Sequence, residues 1–407
     1  MAAALVLATS ALHASTVSIR DTFPDGSKID RWFHSKHNGI PKAERTRFVI
    51  TDNGVKTDST KVQTAAIQAV IDKAAETGGT VVIPRGTFLS GSLFFKPGTH
   101  LLLEKGAVLK GSDDISDFAL LETRIEGQTC KYFAALVNAD SCNGFHLTGE
   151  GTLDGNGLRY WKAFWLRREF NPDCTNKDEM RPRLLYVSNS DGVLIEGIRL
   201  KDSPFWTSHY YRCSNLRIKD LYITSPFSPV PAPSTDAIDI DACRNVHVTG
   251  CTMSVNDDAI ALKGGKGPYA DLAPENGANE NILIENCRFG RCHSAVTAGS
   301  ECIHARNILI RNCSIDSPGN LLRLKMRTDT PQFFEHILVD GITGNCGSLL
   351  HVHPWDQFFD PLSRPDMPIT RAVHVHLQNI TASFRMGWDV EEKPEQYVLE
   401  DVAILSD

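Results

Sequence analysis

The sequence predicts an all-β protein, a single-stranded parallel β-helix closed at its start by one amphipathic helix. Three observations carry this. Short β-branched strands broken by Gly, Asn, Asp and Pro fill most of the chain. One strand–turn–strand unit recurs through the middle and C-terminal parts. Helical periodicity is confined to one stretch near the N-terminus.

Taken in order, Met1 to Ser15 (MAAALVLATSALHAS) has the apolar core and small-residue end of a secretory signal without its basic start, so it reads as a signal-peptide remnant and export, to the periplasm or outside, is expected. Residues 16–47 read as an N-terminal extension, and 48–407 as one β-helix domain. Thr60 to Thr77 reads as a helix: Val62, Ala66, Val70 and Ala74 fall four apart with Ile67 and Ile71 beside them, Asp58, Ser59 and Thr60 offer N-caps, and Gly78-Gly79 stop it. It is placed to plug the first coil, because an open stack needs an end cover. The strand run TVVIP (Thr80–Pro84) follows.

The repeat is visible in DGVLIEGIRL (from Asp191), SNLRIKDLYI (Ser214), RNVHVTGCTM (Arg244), ENILIENCRF (Glu280), RNILIRNCSI (Arg306) and EHILVDGITG (Glu335). Its first strand positions are Val193, Leu216, Val246, Ile282, Ile308 and Ile337, at intervals of 23, 30, 36, 26 and 29 residues. A period of this size without a helix signals stacked coils. Each coil buries its apolar face only against its neighbours, at about 4.8 Å per coil. Stacking then aligns Asn245, Asn281 and Asn307 as a ladder, and Cys251, Cys287 and Cys313 as a thiol column.

Composition excludes several functions. The net charge of −7 argues against a general nucleic-acid binder. No apolar run spans a bilayer, and 42% apolar residues exclude a disordered chain. The 11 cysteines contain no CxxC and read as buried thiols. A monomer without cofactor or metal is expected.

Carboxylates concentrate in STDAIDID (from Ser234) and VNDDAIALK (from Val255). The offset of 36 that relates Asn245 to Asn281 and Cys251 to Cys287 also relates Asp257 to His293, which puts His293 over Asp257. Arg323 and Lys325 lie one coil further on and share a strand face. Asp236, Asp257, Asp258, His293, Arg323 and Lys325 should therefore form one strip across four coils. Crowded carboxylates cannot all ionise easily, so one pKa should rise. A raised carboxyl serves as general acid while ionised neighbours activate water. Arg and Lys beside them suit an acidic substrate. A solvated turn or a calcium site is the other reading of Asp-rich strand ends.

The same residues carry a resemblance. From about Phe48 to Asn379 the chain resembles glycoside hydrolase family 28, the polygalacturonase-like enzymes. The resemblance rests on the opening TAAIQAVIDKAAETGGTVVIPRGTFLSGSLFFKPGTHLLLEKGAVLKGS, on GEGTLDGNG and LKDSPFW, and on four motifs. The family's NTD appears as Ser234-Thr235-Asp236, DD as Asp257-Asp258, GHG as Cys292-His293-Ser294 and RIK as Arg323-Leu324-Lys325. It implies a right-handed parallel β-helix that hydrolyses galacturonic-acid-containing bonds in pectin with inversion and without a metal. Asp257 would be the general acid, Asp236 and Asp258 would hold and activate the water, and His293, Arg323 and Lys325 would bind galacturonate. Inversion predicts acid and base carboxyls about 6.5–9.5 Å apart. Ser234, Cys292 and Ser294 depart from the motifs and leave the pectic polymer open, homogalacturonan or rhamnogalacturonan. The insert Gly264–Asn279 either walls off the cleft for exo action or is passive.

Two rival functions remain at this level: a calcium-dependent pectate-lyase-like eliminase, and a non-catalytic polysaccharide-binding β-helix. Trp161, Trp165 and Trp206 either stack on sugars or pack internally. His209 either borders the cleft or is packed. His351/His353 and His374/His376 are same-face pairs that lack an evident third metal ligand.

Overall fold

The computed structural model describes residues 18–35 and 45–405; the expected signal remnant at 1–15 lies outside them. Among the described residues, 28 strands join one sheet through parallel pairings, and two more form a separate antiparallel hairpin. The chain winds as a right-handed parallel β-helix, the hand that twisted strands impose on parallel crossovers.

The register is the predicted one. Val246 pairs with Leu216 below and Ile282 above, and the column runs on through Ile308 and Ile337 to Val375 and Val402. These side chains point inward and are buried, Val402 partly. Asn281 donates from Nδ2 to Asn245 at 3.1 Å, and Asn307 to Asn281 at 3.1 Å; Asn215, unforeseen, extends the ladder, accepting from Asn245 at 3.2 Å. Each of the four has φ between +50° and +58°. Asn is chosen there because its short amide tolerates the left-handed region and bonds locally. Cys251, Cys287 and Cys313 stack as a buried column, and all eleven cysteines are free, ten of them buried.

The capping helix (α1, Thr64–Thr77) covers the first coil with Ile67, Val70, Ile71 and Ala74. It starts four residues later than predicted. Asp58 caps a local turn, accepting from Thr60 N at 2.8 Å, and Val62 is drawn into a β-bridge with Leu89, which leaves no side-chain N-cap at Gln63. Ahead of the coils, Phe23, Ile29 and Phe33 dock on outward-facing Leu283, Leu309 and Leu338, so this part of the extension lies along the side of the stack. No helix among the described residues is long and apolar enough to cross a membrane.

Two elements were not predicted. One is a second helix (α2, Leu158–Phe170) and the other is the antiparallel hairpin Leu120–Ile125/Gln128–Phe133. Both leave the stack between coils and fold across one of its outer faces, where the site lies.

Candidate active site

One face of the stack is built from strands Ile238–Asp241, Ile260–Lys263, Ser294–Ala298 and Asn320–Arg327, in that vertical order. The predicted residues sit on these strands or just before them. His293 N donates to the Asp257 carbonyl at 2.9 Å, Ala237 N to that of Asp258 at 3.1 Å, and Asn320 N to that of His293 at 2.9 Å, so backbone pairing alone stacks the motifs. Asp236, Asp257, His293, Arg323 and Lys325 line one cleft of about 290 Å³. Asp258 does not; it is fully buried beneath the floor and accepts from Lys325 Nζ at 2.8 Å. Its Oδ1 has no protein partner.

One carboxylate oxygen from each of Asp236, Asp257 and Asp258 lies within 4.8 Å of the others. This is closer than the expected separation of about 6.5–9.5 Å. The reason is architectural: two of the three are neighbours in the chain and the third is one coil below, so the spacing between coils sets the distance.

The expected pKa rise falls on Asp236, pushed up to about 7 by burial and by the charge of Asp257. Asp258 moves the other way: burial disfavours its charge, but Lys325 and Arg323 outweigh it and hold the carboxyl below the usual range. His293 is raised by its hydrogen bond to Asp257, with Nδ1 3.3 Å from Oδ1. Beneath the site Lys263, which the sequence reading left without a role, lies 3.5 Å from Asp236, 3.6 Å from Asp239 and 3.3 Å from Glu301. Burial alone would neutralise its amine, but Glu301 and the two aspartates keep it protonated. Trp355, also unforeseen, lies under two of the predicted cations: Arg323 is 5.0 Å and Lys325 4.7 Å from its ring.

The walls come from the unpredicted elements. Trp165 of α2 bonds Pro231 O through its indole at 2.7 Å and faces the cleft beside Phe164 and Arg168. Glu126, at the hairpin tip, accepts from Asn176 Nδ2 at 2.8 Å and lines the cleft with Glu301. The insert 264–279 lines no part of the cleft. It buttresses the hairpin instead, because a Cβ on Gly127 would meet Gly265 C and Glu301 Cβ at 2.9 Å. Along the outward strip His209–Asp239–Ala261–Thr297–Arg323–His351, the first four residues are fully covered, and exposure begins at Arg323. The strip therefore opens at Arg323, towards the C-terminal coils.

His209 does not border the cleft. It is buried between Asp241 (3.2 Å) and Arg183 (2.7 Å), and Arg124 completes the network at 3.0 Å from Asp241. Trp161 is packed, with its indole bonded to Ser203 O, whereas Trp206 lines the cleft beneath Lys263. Of the three motif departures, Ser234 bonds Asn176 at 3.2 Å and faces the cleft, Ser294 is fully buried, and Cys292 packs against Ser317. Each histidine pair does find a third group, an aspartate one coil on. Asp389 contacts His351 and His353 at 2.6 and 2.9 Å, and Asp401 contacts His374 and His376 at 2.6 and 3.0 Å.

The chain is similar in sequence and fold to several known proteins. A "Probable polygalacturonase" of Vitis vinifera is 27% identical over 344 residues, 78% of this chain and 65% of that protein. An endo-polygalacturonase of Pectobacterium carotovorum is 26% identical over 298 residues, 70% of this chain and 68% of that protein. The chain thus spans about two thirds of the length of these relatives. The same fold is found in an exopolygalacturonase from Thermotoga maritima, with a TM-score of 0.67 and 19% identity over 90% of this chain and 92% of that one. The model of glycosyl hydrolases family 28 matches residues 78–337, a span that holds all six motif residues, and the chain belongs to that family.

Proposed function

We propose that this protein hydrolyses galacturonic-acid-containing glycosidic bonds in pectic chains, from the chain end. The observation that carries this is one cleft in which a carboxyl cluster, with a proton retained at Asp236 up to about pH 7, stands beside a cationic strip of His293, Arg323 and Lys325. Asp257, the most exposed of the three carboxyls, protonates the glycosidic oxygen. Asp236 shares its retained proton with Asp257 and, once ionised, activates the water, while Asp258, buried beneath the floor, fixes Lys325. Lys325, fixed by Asp258 and Trp355, and Arg323, stacked on the same ring, bind the uronate carboxylate. Pectin lies outside the cell, so this reading goes with export.

The lyase alternative fits less well. A calcium ion would have to enter between carboxylates already contacted by Lys263 and Lys325, and two ammonium groups there repel a dication. The hairpin tip standing at the cleft through Glu126 favours exo over endo action, because it narrows the path a polymer would take.

Product analysis on oligogalacturonates of defined length tests the reading. Hydrolysis from the end releases one short product from the first turnover, gives new reducing ends, and forms no ultraviolet-absorbing unsaturated sugar. Appearance of that absorbance, or random internal cleavage, would overturn it. Because the carboxyls are closer than an inverting pair is expected to be, the anomeric configuration of the first product, read by NMR, decides whether the family's inversion holds here.

A further inference from the structure

Beside the main cleft lies a second cavity, of about 360 Å³, lined by Phe227, Asn256, Arg291, His293, Asn320 and Arg323 together with backbone-rich Cys292 and Pro318-Gly319. No carboxylate lines it. Arg323 belongs to both cavities and forms their junction. Arg291 is exposed, with its guanidinium held 4.1 Å over the Phe227 ring, and it has no ion pair or side-chain hydrogen bond among the described residues. Arg323 likewise has a buried Nε without a partner. Two guanidinium groups thus meet at one acid-free hollow. The cations around the carboxyl cluster differ: Lys263 and Lys325 are both committed to protein carboxylates.

We infer that Arg291 is a specificity-determining residue that binds a second uronate on the leaving-group side, so that the preferred substrate carries acidic sugars at two successive positions beyond the cleaved bond. A neutral sugar there would leave the Arg291 fork facing hydroxyl groups alone, whereas a carboxylate matches it with two parallel hydrogen bonds. Arg323 serves the first sugar and Arg291 the next. This selects runs of consecutive galacturonate over chains that alternate acidic and neutral sugars. The inference rests on the hydrolase reading above and narrows it to one class of pectic chain.

The test compares kcat/KM on digalacturonate, on trigalacturonate, and on a trisaccharide whose last sugar is neutral, for the wild type, Arg291→Gln and Arg291→Lys. For the wild type the account predicts trigalacturonate about tenfold above both the dimer and the neutral-ended trimer, the scale of one charge-assisted contact at a partly exposed site. Arg291→Gln collapses that ratio towards one, and Arg291→Lys keeps part of it. Added salt lowers the wild-type ratio because the contact is screened. A ratio that is the same in the wild type and Arg291→Gln, with turnover intact, overturns this inference alone. No hydrolysis of any of the three by the wild type removes the parent reading and this one together.

Discussion

Asp257 and His293 are joined twice although 36 residues separate them: through the backbone at 2.9 Å, and through their side chains at 3.3 Å. The first contact is a rung of the parallel ladder, and the second holds imidazole and carboxylate side by side at the cleft mouth. The site therefore inherits its geometry from the stack, and a change that shifts the coils by one rung destroys it without touching a site residue.

The Asn ladder maintains that registration. Asn281→Ala loses two amide bonds and leaves a Cβ-bearing residue without a local partner at φ +57°. The expected cost is about 2–3 kcal/mol, from about 1–2 for the left-handed backbone and about 1 for the bonds. Asn281→Gly keeps the backbone and should cost less. Denaturant titration of the two variants checks the order.

The buried charge network under the hairpin gives a larger effect. Arg124 and Asp241 lie 3.0 Å apart with almost no exposure, so Arg124→Met strands the Asp241 carboxylate. A loss of about 3–5 kcal/mol is expected, and Asp241→Asn in the same chain should restore part of it. Thermal unfolding of the single and double variants provides the measurement.

Asp236 makes both rate and stability depend on pH, with defined signs. Its folded value of about 7 lies above the ordinary 3.8, so between those limits the native state binds more protons than the unfolded state. Its contribution to stability is complete below about 3.8 and is lost as the pH rises towards 7. Asp258 and Asp241 are depressed, so theirs is present above the usual carboxylate range and lost as the pH falls below it. Asp236→Asn should flatten the decline between 3.8 and 7 in a pH series of unfolding curves. Wild-type kcat/KM should fall above about pH 7, where the cluster gives up its retained proton.

Trp355 supports two cations at once. Trp355→Ala should raise KM about tenfold with a smaller change in kcat, because it loosens Arg323 and Lys325 without entering the acid–base pair. Steady-state kinetics on an oligogalacturonate separates the two parameters.

The stack and its strip were legible because a repeat writes its register into the chain: Asn245, Asn281 and Asn307 are spaced as the coils are, and the same offset carries His293 onto Asp257. What leaves the stack was not legible. In α2, LRYWKAFWLRREF scatters charge among its aromatic residues and shows no clean apolar stripe. The hairpin turns at Glu126-Gly127, both with positive φ, a conformation that Asn-Gly would have advertised and Glu-Gly does not. Those two elements bring Glu126, Trp165 and Arg168 to the cleft, so these walls were invisible beforehand. The insert 264–279 drew notice by its length, yet it lines no part of the cleft and packs against the hairpin tip. Lys263 sat within the quoted carboxylate motif, but its role depends on Glu301, one coil above.

If stacked coils place an acid on Asp257 at the bond to be cleaved, kcat of Asp257→Asn against wild type on trigalacturonate, followed by new reducing ends, is the deciding measurement. A loss of about a thousandfold with the unfolding curve unchanged is expected, the scale of general acid catalysis. A variant that keeps more than about a tenth of wild-type turnover would contradict it, since no such residual rate is compatible with Asp257 as the proton donor.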